Sequence, residues 1–203
     1  MDVVIRKIKE GDFFQTENVT REAFWDMYKP GCDEHLVLHN IRISRCYIGE
    51  LDLVAVFGNN IVGHIISTKA RVIDSSNKEH EVLCVGPLSV LSSFQNKGVG
   101  AKLMNESILI AKQLGFSGMI LFGNPDYYHR FGFRNAGEYG ISTKDGQNFE
   151  PFMALETREK GLASANGRFF EDEAFTCSES ELLEFEKKFP HKEKGKPKID
   201  ISI

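Results

Sequence analysis

The chain has 203 residues, 41% hydrophobic and 27% charged, which is enough to bury the core of one globular domain. Its formal net charge of −4 provides no basic field and argues against nucleic acid as the main partner. No apolar run reaches the ~20 residues that a membrane span requires, and the charged, alternating N-terminal residues do not resemble a signal peptide.

The first third of the chain predicts strands and helices with short connections. The predicted elements are a strand at 3–8, a helix at 12–28, a helix at 33–44, and strands at 51–57 and 61–67. Asp33 is the expected N-cap of the second helix. The sequence Gly-Asn-Asn at 58–60 tolerates positive φ and predicts a hairpin between the two strands. The polar stretch 74–81 is expected to be a loop.

A strand–helix–strand unit follows. The apolar run 82–90 predicts a strand that bulges at Gly86 and Pro87, because proline cannot donate to a sheet ladder. Residues 99–114 have an apolar arc at helical spacing, and Gly115 fits the helix C-cap. The run 118–122 predicts a strand covered on both faces. The short crossover indicates that the two strands are parallel neighbours.

The remainder of the chain predicts fewer elements. Strands are expected at 149–155 and 168–175, and the capping-box spacing at 178–181 predicts a helix that reaches 189. The composition from 191 onward is rich in Lys, Gly and Pro and predicts a flexible, solvated tail. We therefore expect a main domain at 1–157, a C-terminal extension packed on it at 158–190, and a tail at 191–203.

The cysteines and histidines do not predict a metal site. The four cysteines lack Cys-x-x-Cys spacing, and scattered thiols without a secretion signal predict a cytoplasmic location. Cys84 lies in an apolar run and is expected to be a small buried side chain. His35 and His39 are four residues apart, but the residues between them lack the glutamate of a zinc protease motif. No metal is expected.

The turn at 95–100, Gln-Asn-Lys-Gly-Val-Gly, lies between the apolar strand and the amphipathic helix. Such a turn favours anion binding, because the free N–H groups and the positive end of the helix dipole face a ligand. The P-loop pattern and the dinucleotide pattern with three glycines are both absent. A tight turn without any ligand is the alternative that this pattern alone leaves open.

The pattern Gln-x-x-Gly-x-Gly in this position resembles the acyl-CoA-binding motif of the GNAT N-acetyltransferase superfamily. A second motif of that family, Tyr-x-x-x-Gly-Phe after the next strand, is matched at 128–133. The resemblance is clear over 82–133, looser before it, and slight beyond 155. It implies an α/β fold with a twisted, mixed β-sheet flanked by helices, in which two splayed parallel strands form the acyl-CoA cleft.

The resemblance also implies roles for individual residues. Backbone N–H groups of the turn would bind the diphosphate of coenzyme A, and Lys97 would add a positive charge or remain solvated. The pantetheine arm would pair with the strand before the turn, and Asn124 would contact the arm or only cap a helix. The residues implied for the cofactor are Leu88, Ser89, Val90, Gln95, Asn96, Lys97, Gly98, Val99, Gly100, Ala101 and Asn124.

The implied reaction is direct transfer of an acetyl group from acetyl-CoA to a primary amine. Tyr128 is the candidate general acid for the leaving thiolate, and Tyr127 is its rival. The alternative is that both tyrosines have only a structural role and pack in an aromatic cluster. Backbone N–H groups at 88–90 would stabilise the oxyanion. The general base stays open among Glu34, His35, Glu50, His64, Asp126 and ordered water.

Other functions and the partners are less well determined by the sequence. The main alternative function is a catalytically inactive module that senses acyl-CoA. A nucleotide-binding oxidoreductase is disfavoured, because the dinucleotide-binding pattern lacks its third glycine. The expected partners are acetyl-CoA and a small-molecule or protein amine, with neither nucleic acid nor membrane. The sequence does not identify the acceptor, although the net negative charge of the chain favours a cationic one. A homodimer is left open.

Overall fold

The structure is a computed structural model that describes residues 2–199. In that range it has nine strands and five α-helices. The strands are β1 (Val4–Lys7), β2 (Tyr47–Phe57), β3 (Asn60–Asp74), β4 (Glu79–Val90), β5 (Gly118–Phe122), β6 (Arg134–Asn135), β7 (Ile141–Ser142), β8 (Phe152–Glu156) and β9 (Gly167–Phe170). The helices are α1 (Phe13–Phe24), α2 (Glu34–Ile43), α3 (Val99–Gln113), α4 (Pro125–Tyr128) and α5 (Glu179–Glu186).

All nine strands belong to one mixed sheet, as the predicted fold class requires. The strand order is β1-β2-β3-β4-β5-β8-β6, and β9 pairs with the part of β3 that extends past β2. Within residues 2–199 the parallel pairs are β4 with β5 and β7 with β9, and the other pairs are antiparallel. The predicted parallel strand–helix–strand unit is thereby confirmed.

Helices cover both faces of this sheet. The apolar side of α3 packs Leu103 and Met104 against Leu53 and Ile65 of the central strands. On the opposite face, α1 and α2 pack against the neighbouring positions of the same strands, with Ile41 against Ile66. Successive strand residues face opposite sides, so each central strand contributes to two cores. This explains why β3 is apolar at consecutive positions.

The central hairpins are longer than the sequence predicts. The expected loop at 74–81 is wrong in extent, since β3 continues to Asp74 and β4 begins at Glu79. The polar residues there are paired across the strands, as Arg71 is opposite Glu81. The short turn is held by the Asp74 carboxylate, which accepts a hydrogen bond from Ser76 N at 2.8 Å. Helix α1 likewise ends at Phe24, earlier than expected.

The predicted bulge in β4 is present and coincides with separation of the two parallel strands. Register shifts opposite Gly86 and Pro87, where three steps along β4 match two along β3. In the described chain, β4 pairs with β5 at Leu83–Met119 and Cys84–Ile120 and at no later residue. Beyond Cys84 the facing edges of the strands diverge, which opens a gap within the sheet.

The C-terminal residues are more closely integrated than their composition suggests. β9 enters the sheet, and α5 begins with the predicted capping box, in which Ser178 and Glu181 bond reciprocally. The residues predicted as a free tail remain against the domain: Lys198 N donates to Asp26 O at 2.8 Å and Ile199 N to Met27 O at 2.9 Å. The last part of the predicted tail, residues 200–203, lies outside the described range. None of the helices within residues 2–199 combines the length and the hydrophobicity of a transmembrane segment.

Candidate active site

A cavity of about 820 Å³ occupies the gap between β4 and β5. One end is the turn before α3, and the other is the connection between α1 and α2 together with residues after β9. Most residues that the sequence assigns to cofactor binding line it. Those residues are Leu88, Val90, Gln95, Asn96, Gly98, Val99, Gly100, Ala101 and Asn124.

The turn before α3 presents backbone donors to the cavity. Gly98 is the N-cap residue with φ of +81°, and no side chain in the described part of the chain caps this helix. The first N–H groups of α3 therefore remain available for an anion. Gln95 Nε2 donates to Val90 O at 3.0 Å, which ties the turn to the end of β4. The geometry is that of an anion site at a helix N-terminus.

Two of the predicted cofactor residues face elsewhere. The Ser89 side chain is fully buried, and its Oγ lies 2.8 Å from Oγ1 of Thr20 on α1. Lys97 is exposed, and its Nζ donates to Ser93 O at 2.7 Å, so the ammonium caps a local turn. Neither residue lines the cavity. Their side chains have structural partners that the sequence motif does not reveal.

The two adjacent tyrosines occupy different positions. Tyr127 lies against the turn before α3, where a Cβ added at Gly100 would be 2.5 Å from its Oη. The Tyr128 ring lies against Gly123, just after β5, where an added Cβ would be 2.2 Å from its Cε2, and it packs edge-on to Phe133 with centroids 5.8 Å apart. Burial raises the pKa of Tyr128 well above its ordinary value, and the neighbouring Tyr127 and Tyr28 hydroxyls add to this. Tyr128 therefore stays protonated at neutral pH.

Asn124 also lines the cavity, but its side-chain oxygen is occupied. Its Oδ1 accepts a hydrogen bond from Asp126 N at 3.0 Å and caps α4. This capping role is one of the two alternatives that the sequence leaves open. The cap fixes the direction of α4 and thereby the positions of both tyrosines.

The far end of the cavity is acidic. Asp33, Glu34 and Glu171 line it, whereas Arg130 is the one Lys or Arg side chain among the described lining residues. The Arg130 guanidinium lies over the Tyr127 ring, 4.7 Å from its centroid, and so belongs to the end near α3. Burial raises the pKa of Glu34 and of Glu171 above their ordinary values. The cavity is thus positive at one end and negative at the other.

Of the five candidate general bases, Glu34 lines the cavity. Glu50 is exposed and paired with Lys7 at 3.3 Å. His35 Nε2 is completely buried 2.7 Å from Glu186 Oε1, and His64 Nε2 is 2.7 Å from Asp52 Oδ1. Asp126 is exposed on α4 and does not line the cavity. Among these five candidates, Glu34 is therefore the residue in a position to contact a ligand in the cavity.

Other groups of histidine and carboxylate side chains are structural pairs. His39 Nδ1 lies 2.9 Å from Glu17 Oε1, whereas His35 pairs with a different carboxylate, that of Glu186. Within residues 2–199 no set of three or more His, Cys, Asp or Glu residues has the arrangement of a metal site.

Sequence reasoning misses several residues of the acidic end. Tyr28, Asp33 and Glu171 come from the α1–α2 connection and from the residue after β9. None belongs to a motif, and Glu171 is more than a hundred residues from the helical pair that it faces. The acidic balance of the composition is the single signal that points in this direction.

Comparison with known proteins relates this geometry to an established family. The family model described as acetyltransferase (GNAT) family matches residues 13–133, which is more than half of the chain. The uncharacterized N-acetyltransferase YjhQ of Escherichia coli (strain K12) is 31% identical over 91 residues, 44% of this chain and 50% of that protein. The matched segment therefore spans about half the length of that relative.

Two solved structures share the fold over most of the chain. The GNAT family N-acetyltransferase YhbS from Escherichia coli, in complex with CoA, has a TM-score of 0.76 at 20% identity, covering 85% of this chain and 91% of that one. A GNAT family acetyltransferase from Brucella melitensis, in complex with acetyl-CoA, has a TM-score of 0.71 at 25% identity, covering 86% and 99%. With its gap between parallel strands and its glycine turn, the chain belongs to the GNAT acetyltransferase family.

Proposed function

We propose that this protein transfers an acetyl group from acetyl-CoA to an amine of an acceptor with positive charge. The observation that carries the proposal is the cavity between β4 and β5, which joins the turn before α3 to an acidic wall. The cofactor would enter from the first end and the acceptor from the second. Both would meet beside Tyr128, where the strands separate.

The cofactor end supports binding of coenzyme A. The N–H groups at the start of α3 would donate to the diphosphate, and the helix dipole adds a favourable field. The edge of β4 from Val85 to Val90 has no strand partner on the β5 side in the described chain, so it offers hydrogen bonds to the amides of pantetheine. Gly98 at φ +81° sets the direction of these N–H groups.

Replacement of Gly98 tests the cofactor site. Gly98→Ala places a side chain at positive φ and disturbs the turn, so we expect the affinity for CoA to fall about tenfold, the loss of one charge-assisted hydrogen bond. Gly115→Ala is the matched control, because Gly115 follows the other end of α3, has φ of +80° and also has open space around it. Both variants should lose about 1 kcal/mol of stability.

Isothermal titration with CoA and urea unfolding measure the two effects. Equal CoA affinity in the two variants would remove the turn from the proposed site.

The proposed chemistry is direct attack of the neutral amine on the thioester. The new C–N bond forms as the C–S bond breaks, and the coenzyme A thiolate leaves. The free backbone N–H groups of β4 would stabilise the oxyanion. Tyr128 would donate a proton, or at least a strong hydrogen bond, to the sulfur. Burial raises the pKa of Tyr128, so the phenol stays protonated and can donate to the sulfur on which negative charge develops.

Tyr128→Phe tests the acid. We expect CoA affinity to be retained and turnover to fall by about 10²- to 10⁴-fold, because the proton donor to the thiolate is lost. Tyr127→Phe is the control: its hydroxyl lies at the turn, so its loss should alter the affinity for CoA and leave turnover within a small factor. Thiol release from acetyl-CoA is the assay. A Tyr128→Phe variant with unchanged turnover would refute the proposed acid.

Glu34 is the proposed general base. It lines the cavity on the acceptor side, and its Oε2 accepts a hydrogen bond from Asp33 N at 3.1 Å, which fixes the carboxylate. Burial raises its pKa, so it binds a proton more readily than an exposed glutamate. It also lies near Tyr28, whose pKa is raised by burial and by the Glu34 charge. A carboxylate in this position can accept the proton that the amine nitrogen loses as the C–N bond forms.

The pH dependence of turnover tests Glu34. A base must be unprotonated, so kcat should fall as the pH drops through a pKa above the ordinary glutamate value. In Glu34→Gln we expect kcat to fall by about 10²- to 10⁴-fold and this acid limb to disappear. The exposed Glu50 gives the control Glu50→Gln, which should keep both rate and profile. If Glu34→Gln keeps the acid limb, another group is the base.

The acidic wall supports an acceptor with a second positive group besides the reacting amine. Glu171 follows β9 and approaches Cys84 Sγ at 3.9 Å, so its carboxylate lies at the inner end of the gap. Asp33 is already paired with Lys29, which leaves Glu34 and Glu171 for the acceptor.

The four cysteines are free thiols, which supports the proposed cytoplasmic location.

A charge-matched acceptor series tests this preference. Putrescine, butylamine and γ-aminobutyrate have equal chain length and a second group that is positive, neutral or negative. We expect kcat/KM to fall in that order, with about tenfold per step from the loss of one ion pair in a partly desolvated site. Glu171→Gln should remove the preference for putrescine over butylamine. Equal rates for all three amines would contradict the proposed acceptor class.

A further inference from the structure

The residues after 177 pack against α1, α2 and the loop between them, which contribute the acidic end of the cavity. We define the C-terminal brace as residues 178–199, which comprise α5 and the segment that follows it. The family match ends at 133, so the brace lies outside the part of the chain that carries the known motifs. Its contacts are concentrated on α1, on α2 and on the loop that joins them, residues 25–33.

The loop at 25–33 needs external support. It contributes Met27, Tyr28 and Asp33 to the cavity, yet it is an irregular segment in which Asp26 has a φ of +57°. Its internal backbone bonds are few; one joins Asp26 N to Gly31 O at 2.9 Å. Ordering such a loop costs conformational entropy, so a wall of the cavity formed by it is well defined only where other elements hold it.

The brace supplies hydrogen bonds to this loop. Lys198 N and Ile199 N donate to the consecutive carbonyls of Asp26 and Met27, at 2.8 and 2.9 Å. The Lys198 ammonium donates to Trp25 O at 2.8 Å, and Trp25 Nε1 donates to Glu193 O at 3.0 Å. The end of the brace thus lies along the outer side of the loop and satisfies polar groups on both segments.

A buried ionic contact anchors α5 to α1. Arg21 is 1% exposed, and its Nε and Nη2 donate to the Glu186 carboxylate at 3.0 and 2.8 Å. The guanidinium also lies over Trp25, 4.3 Å from the ring centroid. A buried arginine without a partner is strongly destabilising, so the position of Glu186 is tightly specified. His35 of α2 lies 2.7 Å from the same carboxylate.

Apolar contacts reinforce this anchor. Phe185 and Phe189 are buried against Leu36 of α2, and Phe189 stacks on Phe14 of α1 with ring centroids 5.1 Å apart. The brace therefore contacts both helices that flank the loop, as well as the loop itself.

We propose that the C-terminal brace is a positioning element of the acceptor site, which holds the loop at 25–33 in place through Glu186 and Lys198. This inference rests on the proposed function for the identity of the acceptor end. Among the described residues, none of the brace lines the cavity, and no backbone hydrogen bond joins the brace to the turn before α3. Weakening the brace should therefore affect the acceptor and spare CoA.

Two substitutions and their controls test the brace in the full-length protein. Glu186→Gln removes the charge that Arg21 needs; Glu184→Gln, on the same helix but paired with exposed Lys187, is its control. Lys198→Pro removes the N–H that donates to Asp26, and Lys198→Ala keeps that N–H. Lys198 is peripheral, so its variants remain folded even if Glu186→Gln is unstable.

We expect Glu186→Gln and Lys198→Pro to raise the KM for putrescine about tenfold while the CoA dissociation constant stays within about twofold, because only the acceptor wall loses its order. A red shift of tryptophan fluorescence should accompany the change, since Trp25 is the only tryptophan in the chain and is 4% exposed. Hydrogen exchange at 25–33 should become faster. Glu184→Gln should match the native protein, and Lys198→Ala, which loses the ammonium bond to Trp25 O but keeps the N–H bond to Asp26, should change less than Lys198→Pro.

The outcomes separate the brace from the proposed reaction. Fluorescence and hydrogen exchange report on the loop without turnover, so they test the brace even if no amine is acetylated. Unchanged exchange at 25–33 in both variants would overturn the inference. Equal losses of CoA and putrescine binding would also overturn it, because they would indicate general destabilisation. Faster exchange with no turnover of any amine would instead contradict the proposed function alone.

Discussion

The separation of β4 from β5 beyond Cys84 is the constraint on which the rest of the site depends. The bulge at Gly86 and Pro87 lets β4 follow β3, while β5 continues towards β8, so the two parallel strands cannot remain paired. A gap in a sheet exposes backbone donors and acceptors that must find other partners. In the proposed function these groups bind the amides of the cofactor, and α3 and α4 begin at the edges of the gap.

The two ends of the gap have opposite electrostatic character, which gives direction to the site. At one end are the N-terminus of α3 and Arg130, and at the other are Glu34 and Glu171. Backbone N–H groups of a helix N-terminus bind an anion whatever the neighbouring side chains are. The acidic end depends on particular side chains from segments far apart in sequence. Cofactor recognition can therefore be shared across a family while the acceptor changes.

Buried charges join the helices to the sheet and to each other. Arg42 of α2 donates to the Asp52 carboxylate at 3.0 Å, and His64 lies on the same carboxylate. Arg21 and Glu186 form a second such contact, between α1 and α5. A buried ion pair adds little net stability, but the arrangement that pairs it is far more favourable than any that does not. Such contacts fix where α1 and α2 lie, and hence where the acidic end of the cavity lies.

The sequence alone determined the elements whose causes are local. The amphipathic helix α3, the apolar strand β5, the capping box at Ser178 and the bulge at Pro87 follow from spacing, capping and the missing proline N–H, and the motifs then indicated the family. Only the tertiary structure decided that Glu34 faces the cavity, that Ser89 faces α1 and that Glu171 joins the acidic end. It also decided that the tail returns to the loop at 25–33. Those outcomes depend on contacts between residues distant in the chain, which periodicity and composition do not encode.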